Sequence, residues 1–499
     1  MTERIPRTER KGTGYFFERI SGKGLTKPAN YAAALLTSVS KAALVVKSSA
    51  PLKTLQGGYP MKPQKAKTLL QESIQDLTDC KWFFSRNPEA DFSRKRKLSF
   101  EQIVQAILCM RGGSLANEMM DFFGIREELA TTSAFVQRRA KILPEAFESL
   151  FDHYTQKVDE DKRYEGMRLL AADGSDFLLA ANPDDPDSFF PGTEEQKSYN
   201  LLHLNALYDL VQHIYVDTDL QKRRKADECG ALVSMIDRSR LDRVLLLADR
   251  GYESFNVLAH IQEKGWKFLI RIKDGGGGIA CGLDLPDTDE FDVPISLNLT
   301  VKQTNKMKTL LKDRNHYKYV GNTGRFDFLP RRSRKYDPVV FYNLAFRIVR
   351  FPISDSSFET VLTNLDPVAF PPDKLKELYA MRWGIETSFR ELKHTIGLQH
   401  FHAKKVEFVR QEIFARLTMY NFYEVITQSA VIQKKSRKHL YKVNFSAAVH
   451  VCRQFFLGDV PPPLVEALLA KHISPIRPGR SRPRKLKPKQ ALSFLYRVA

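Results

Sequence analysis

Two different spacings of apolar residues follow one another along this chain. Between position 61 and about 160 they recur every three to four residues, which gathers them on one face of an α-helix. MKPQKAKTLLQESIQDL (61–77) opens this region at Met61, a second credible start. LSFEQIVQAILCM (98–110) continues it, with Ser99 placed to cap a helix and Ile103, Ala106, Ile107 and Met110 facing inward. Arg111-Gly112-Gly113-Ser114 interrupts the pattern before LANEMMDFFG, and TTSAFVQRRAKILPEAFESLFDHY (131–154) restores it as a further helix. The stretch Gln137-Arg138-Arg139-Ala140-Lys141 puts charge on one face of that helix. Such a face suits DNA contact and equally suits an ordinary solvated helix.

From 167 the apolar residues become continuous. MRLLAADG (167–174) predicts a buried strand ending at Asp173, and SYNLLHLNALYDLVQHIYVDTD (198–219) predicts two strands joined near Asp209. ECGALVSMID (228–237) reads as a helix, and RVLLLADRGYES (243–254) as a second buried strand ending at Asp249. A helix over Phe255–Lys264 and a strand in WKFLIRI (266–272) complete the series. Continuously apolar strands alternating with helices predict a mixed α/β sheet covered on both faces. Past the glycines at 275–278, residues 279–367 carry short β-prone runs: FDVPISLNLTVKQT, HYKYVG, VVFYNLAFRIVRF and FETVLTNL. They predict a β-rich insertion bearing the basic patch Arg331-Arg332-Ser333-Arg334-Lys335. Asp373 then opens a long helix carrying Glu386, and helices are predicted at 408–430 and 462–472.

These shifts divide the chain into six regions. A basic N-terminal extension (1–60), predicted to be poorly ordered, precedes a helical region suited to DNA binding (61–165). A first part of the core (166–274), the insertion (275–367) and a second part of the core with the Glu386 helix (368–425) follow. A helical C-terminal region (426–499) ends in a basic tail, where Arg477, Arg480, Arg482, Arg484, Lys485, Lys487 and Lys489 stand without an acid among them. No internal repeat is present.

Charge narrows the function. Lys plus Arg outnumber Asp plus Glu by 78 − 58 = 20, an excess that favours a nucleic-acid partner. No apolar run reaches the length of a membrane span, and the first residues lack a signal-peptide core, which predicts a cytoplasmic protein without a membrane partner. Five scattered cysteines with no CxxC pair argue against a zinc ribbon or a disulfide framework.

The most specific local signal is LYAMRWGIETSFRELKHTIGLQHF (378–401). On a helix, Tyr379, Arg382, Glu386 and Lys393 fall at about 0°, 300°, 340° and 320°, one narrow stripe. Tyr379 and Lys393 each lie about 10 Å from Glu386 along the axis. Arg382 and Glu386 also form an ordinary i,i+4 pair, worth only a few tenths of a kcal/mol. With Asp173 and Asp249, however, Glu386 completes an all-carboxylate set. Hard oxygen ligands select Mg²⁺ or Mn²⁺, and two such ions about 4 Å apart support in-line displacement at phosphorus. Asp176 and Asp217 are rival candidates for the aspartate positions.

The strand order, with Asp173 ending the first strand and Asp249 the fourth, resembles the ribonuclease-H-like fold. There the two strands are neighbours, and their ends bring the carboxylates together. The motifs DG at 173–174, DRGYES at 249–254 and Y-x2-R-x3-E-x6-K at 379–393 resemble the DDE transposases of bacterial insertion sequences, specifically the insertion-sequence-four family. The resemblance covers roughly 61–425. It implies a ribonuclease-H-like core interrupted by the β insertion, with helical regions at both ends. It implies that Asp173, Asp249 and Glu386 bind two Mg²⁺ or Mn²⁺ ions, that Arg382 and Lys393 contact DNA phosphates, and that Tyr379 packs or hydrogen-bonds near the cleaved strand. Trp383 and Arg390 are further DNA-binding candidates.

The implied activity is cut-and-paste transposition by a homodimer on double-stranded DNA, at paired terminal inverted repeats and a target, in a bacterial nucleoid-associated protein with no small-molecule substrate. A ribonuclease-H-like nuclease that cuts without joining and a domesticated DNA-binding descendant are the alternatives. Relatives that form a DNA hairpin use a Trp in the β insertion to hold a flipped base. Here Trp82, Trp266 and Trp383 all lie outside 279–367. Trp383 could stack a base instead, or Tyr317, Tyr319, Phe326 or Phe328 could take the role.

Overall fold

The helical region forms where the three-to-four spacing places it. The computed structural model describes residues 55–56, 60–194, 197–273, 278–321, 325–330, 338–354, 357–430 and 440–476. The rest of the basic extension, glycines 275–277, the 331–335 patch and the seven cations of the tail lie outside them. Helices α1 (Pro63–Asp79), α2 (Phe100–Cys109) and α3 (Leu115–Phe123) follow the sequence reading. Ser99 caps α2 reciprocally: its hydroxyl accepts from the Gln102 amide at 3.1 Å, and the Gln102 side chain accepts from the Ser99 amide at 2.9 Å. The single helix expected over 131–154 is two, α4 (Thr132–Arg139) and α5 (Glu145–Val158). Pro144 stands at the break, where its missing N–H cannot continue a helix.

A ten-stranded mixed sheet carries the rest. Its strands are β1 (Arg168–Leu179), β2 (Phe189–Phe190), β3 (Tyr199–Asp209), β4 (Ile214–Lys222), β5 (Val244–Ala248), β6 (Lys267–Arg271), β7 (Phe291–Thr300), β8 (Tyr317–Tyr319), β9 (Tyr342–Ser354) and β10 (Ser357–Thr363). The order is β8-β7-β9-β10-β6-β5-β1-β3-β2, with β4 also paired to β3. β1, β5 and β6 run parallel; α6 (Glu228–Arg238) leads from β4 into β5, and α7 (Phe255–Glu263) joins β5 to β6. Successive residues of β1 serve opposite faces. Leu169 and Ala171 join the core shared with the terminal helices, while Leu170 and Ala172 join the core beneath α6 and α7. Burial on both faces explains why these strands read as unbroken apolar runs.

The β-prone stretch differs from the expectation of a separate unit. Its strands β7 to β10 extend the central sheet, because β10 pairs antiparallel with β6. The β1 strand also continues beyond Asp173 to Leu179, held by antiparallel pairing to β3.

After the sheet come α8 (Pro372–Met381), α9 (Trp383–His394) and α10 (Val406–Ser429). The sequence misses α11 (Phe445–Leu457), which Asn444 caps, although α12 (Pro462–Lys471) falls where expected. α10 is buried along most of its length and brings polar groups with it. One is Glu412, which pairs with Arg139 at 2.9 Å, both being almost fully buried. Arg139 also donates to Gln411 at 2.7 Å and to the Phe408 carbonyl at 2.5 Å. Arg138 sits over the Phe92 ring and donates to the Leu98 carbonyl. The cationic face that suited DNA contact is therefore, at these two arginines, a clamp between α4 and its neighbours. Arg139→Ala would leave Glu412 buried without its main partner, and we expect a stability loss of about 3–5 kcal/mol. Urea unfolding would measure it; a loss under about 1 kcal/mol would contradict the clamp.

Candidate active site

Register sets the first two carboxylates side by side. The parallel pairing of β1 and β5 ends at Ala172 opposite Ala248, so Asp173 and Asp249 are the next residue on each strand. Their different surroundings follow from the chain beyond. Asp249 leaves the sheet, is half-buried, and its Oδ1 caps the following turn by accepting from the Gly251 amide at 2.7 Å. Asp173 stays within a strand and is buried; its Oδ1 accepts from the Gly174 amide at 2.8 Å. Burial, together with Glu386 and Asp249 nearby, raises its pKa to about 7, although Arg382 pulls the other way.

Glu386 comes from the opposite side, on α9. The expected single helix is interrupted at Arg382, which keeps helical dihedrals (φ −49°, ψ −30°) but joins two segments. Hydrogen bonds there shift to the tighter i→i−3 pattern, from the Arg382 amide to Tyr379 and from Ile385 to the Arg382 carbonyl. Arg382 is buried, and its guanidinium bridges the site. One terminal nitrogen donates to Glu386 Oε1 at 2.7 Å, and the other lies 3.8 Å from Asp173 Oδ2. Burial works to lower its pKa, but Tyr379, Asp173 and Glu386 outweigh that and raise it. Its Nε and Nη1 have no hydrogen-bond acceptor among the described residues.

The other stripe residues are placed as follows. Tyr379 is buried, with Arg382 5.7 Å from its ring centroid and its hydroxyl without a partner among the described residues. Trp383 is half-buried under the same guanidinium at 5.0 Å. Lys393 lies over the Phe177 ring at 5.1 Å; burial lowers its pKa, opposed by Asp176 and Asp173. Arg390 is exposed one turn beyond Glu386. Of the aromatics weighed for a flipped base, Phe326 is buried and Phe328 packs on His260 and Tyr342, whereas Tyr317 and Tyr319 are half-buried.

The rival aspartates have other partners. Asp217 takes a two-point contact from Arg238 at 2.6 and 2.9 Å. Asp176 faces His203, whose Nδ1 lies 2.5 Å away, and Arg223 at 3.3 Å.

His203 is a residue the sequence reading missed. It is fully buried on β3, and burial holds its pKa near 4 despite Asp176. A neutral ring beside a carboxylate donates from Nδ1, so Nε2 carries a lone pair, and it lies against Gly174. A Cβ on Gly174 would stand 2.2 Å from that nitrogen. Gly174→Ala must therefore move either His203 or the backbone that holds Asp173. A shift of about 1 Å at the reacting centre can cost roughly a hundredfold in rate. We expect DNA cleavage to fall by that order with DNA binding kept within a few-fold, measured by cleavage and gel-shift assays on one fragment. Unchanged cleavage would show that the Gly174–His203 contact is dispensable. Glu228 was also missed: it and Asp249 both flank Gly251, whose Cβ would lie 3.1 and 2.9 Å from their oxygens. Only its place at a helix start could have drawn notice, and that position is common for acids.

Among the described residues, no group of three or more His, Cys, Asp or Glu is close enough to hold one ion. The Arg382 guanidinium takes the position between Asp173 and Glu386. The donors are nonetheless all carboxylates, and a buried acid raised to about 7 calls for positive charge beside it. That chemistry fits a hard divalent cation.

Carboxylates from neighbouring strands gathered against a helix that carries cations suit an enzyme that handles phosphodiesters. The transposase DDE domain family model matches residues 164–422, more than half of the chain, and the chain belongs to that family. It is 22% identical over 356 residues to the transposase InsG of insertion sequence element IS4 from Escherichia coli strain K12, spanning 67% of this chain and 71% of that protein. It is a DDE transposase of the insertion-sequence-four family, an enzyme of DNA transposition, and its family uses divalent metal ions. A cryo-EM structure of a piggyBac transposase synaptic complex with hairpin DNA overlaps 84% of this chain and 87% of its own, at 9% identity and a TM-score of 0.39, too distant to carry structural inference. No helix among the described residues is long and apolar enough to cross a membrane.

Proposed function

We propose that Asp173, Asp249 and Glu386 are the catalytic carboxylates of a ribonuclease-H-like core and hold two Mg²⁺ or Mn²⁺ ions. Such ions, when bound, lower the pKa of the attacking oxygen and neutralise the leaving 3′-oxygen. Arg382, with Nε and Nη1 unengaged beside Asp173 and Glu386, would donate to a DNA phosphate there. Lys393 supplies a second phosphate contact on the Asp176 side, and Arg390 a third at the surface. Tyr379 and Trp383 pack around the Arg382 guanidinium and hold it at the mouth of the site. The observation that carries this reading is the juxtaposition of Asp173 and Asp249 at the end of one parallel strand pair, with Arg382 linking Asp173 to Glu386.

On this reading the protein cuts DNA at the terminal inverted repeats of the element that encodes it and joins those ends to a target. It acts as a homodimer on paired ends, within the cytoplasm on the nucleoid. The helical region 61–165 binds DNA, the core spans 166–274 and 368–425 around the 275–367 insertion, and 426–499 follows. A labelled duplex carrying DNA from beside the chain's own gene, incubated with Mg²⁺, tests it. Cleavage followed by joining to a second duplex is expected. Cutting without joining would mean a nuclease, and a mobility shift without reaction would mean a binder only.

A further inference from the structure

At the edge of the sheet, the run Lys222-Arg223-Arg224-Lys225 ends β4 and turns past Asp187. Three of its four charges face acids. Lys222 lies 2.5 Å from Asp185, Arg223 3.3 Å from Asp176, and Lys225 2.7 Å from Asp187. Arg224 differs: among the described residues no acid pairs with it. Its guanidinium sits over the Phe190 ring, 5.1 Å from the centroid, and Phe190 stacks on Tyr199 at 5.4 Å and 10°. The Arg224 amide is tied to the Asp187 carbonyl at 3.0 Å, so the turn itself is anchored. An exposed arginine aimed by two stacked rings, with its N–H groups not taken by an acid, is prepared for an anion. Arginine's planar fork matches phosphate oxygens in particular.

The place of this residue narrows the anion. A line of positive side chains joins it to the carboxylates, from Lys393, which senses both Asp173 and Asp176, to Arg223 on Asp176 and then to Arg224. Leu179 pairs with Asn200, and Asn200 with Phe189, so the Phe190–Tyr199 stack lies level with the far end of β1. Six residues of strand separate Asp173 from Leu179, about 20 Å. Duplex DNA advances about 3.4 Å per phosphate along one strand, so that span is about six phosphates.

We infer that Arg224, held on Phe190 and Tyr199, grips the backbone of the DNA strand being cleaved, about six phosphates from the cut. This rests on the transposase reading above, and the experiment separates the two. Wild-type protein and Mg²⁺ first map the cut on duplexes carrying DNA from beside the chain's own gene; no cut there would remove the underlying reading. Single neutral methylphosphonates are then placed at the fourth to eighth phosphates on the cleaved strand. Binding is compared for the wild type, Arg224→Ala and Lys267→Ala, an exposed cation at the opposite end of the sheet.

The expected result is a roughly five- to tenfold loss of affinity in Arg224→Ala and a slope of log affinity against log salt that is less negative by about 0.9. One methylphosphonate near the sixth position should weaken the wild type by a similar factor and leave Arg224→Ala unchanged. The inference is overturned, with the transposase reading intact, if Arg224→Ala binds like the wild type or loses no more than Lys267→Ala. It is equally overturned if every methylphosphonate weakens Arg224→Ala as much as the wild type.

Discussion

DNA cleavage by Asp249→Ala protein is expected to fall roughly a thousandfold or more, while its DNA binding stays within a few-fold of the wild type. Loss of a carboxylate that, as proposed, holds the metal ions would remove several kcal/mol of transition-state stabilisation, and about 4 kcal/mol corresponds to a thousandfold in rate. The phosphate grip assigned to Arg382, Lys393 and Arg390 is untouched by this change, which is why binding is the internal control. Glu386→Gln sharpens the comparison, because it keeps shape and hydrogen bonding but removes the charge. If Arg382 and Glu386 were only a helix-surface ion pair, the cost would be about 0.3–0.5 kcal/mol of stability with chemistry intact. Cleavage and thermal unfolding of both variants, run together in Mg²⁺, distinguish the cases. Normal cleavage by Glu386→Gln would remove that residue from the catalytic set.

The second large effect is on stability, and its sign is opposite to that on activity. Burial and the neighbouring carboxylates raise the Asp173 pKa from 3.8 to about 7. The folded protein thus binds this proton more tightly than the unfolded chain does. Its stability is expected to decline as pH rises from about 4 to about 7 and to level off above that. Asp173→Asn removes this titration. In chelator, at pH 8, the variant should be more stable than the wild type by on the order of 2–4 kcal/mol, and inactive. At pH 4 the difference should vanish. Urea unfolding at the two pH values measures it, and an equal gain at both would mean that packing, not charge, is responsible. Added Mg²⁺ should narrow the gap at pH 8 by stabilising the wild type alone. An active site that is costly to fold without its cations is the expected consequence of crowding carboxylates.

Much of this was legible locally. Hydrophobic spacing of three to four over 61–160 and unbroken apolar runs at 169–172 and 244–248 needed no knowledge of the fold, because a helix face and a doubly covered strand each impose their own spacing. Ser99 marked a cap, and the spacing of Tyr379, Arg382, Glu386 and Lys393 lay within one short stretch of sequence. Other features depended on contacts between segments far apart in the chain. Arg139 read as a surface cation until α10, some 270 residues later, brought Glu412 to it. The strands at 291–363 read as a separate insertion, because nothing within them reveals that β10 would pair with β6. His203 was silent in the sequence, and its contact with Gly174 exists only through the register of β1 against β3.

By itself, then, the sequence determined the kinds of element, the aspartates that close the apolar runs at 169–172 and 244–248, and the stripe that accompanies them, since each is a property of a few neighbouring residues. The tertiary structure alone decided that Asp173 would be buried and Asp249 left half-exposed, because one strand goes on past its aspartate and the other stops. It also decided that Arg382 would stand between Asp173 and Glu386. That position needs both the tightened turn at Arg382 and the packing of α9 against β1, and no local pattern encodes the meeting of two elements two hundred residues apart.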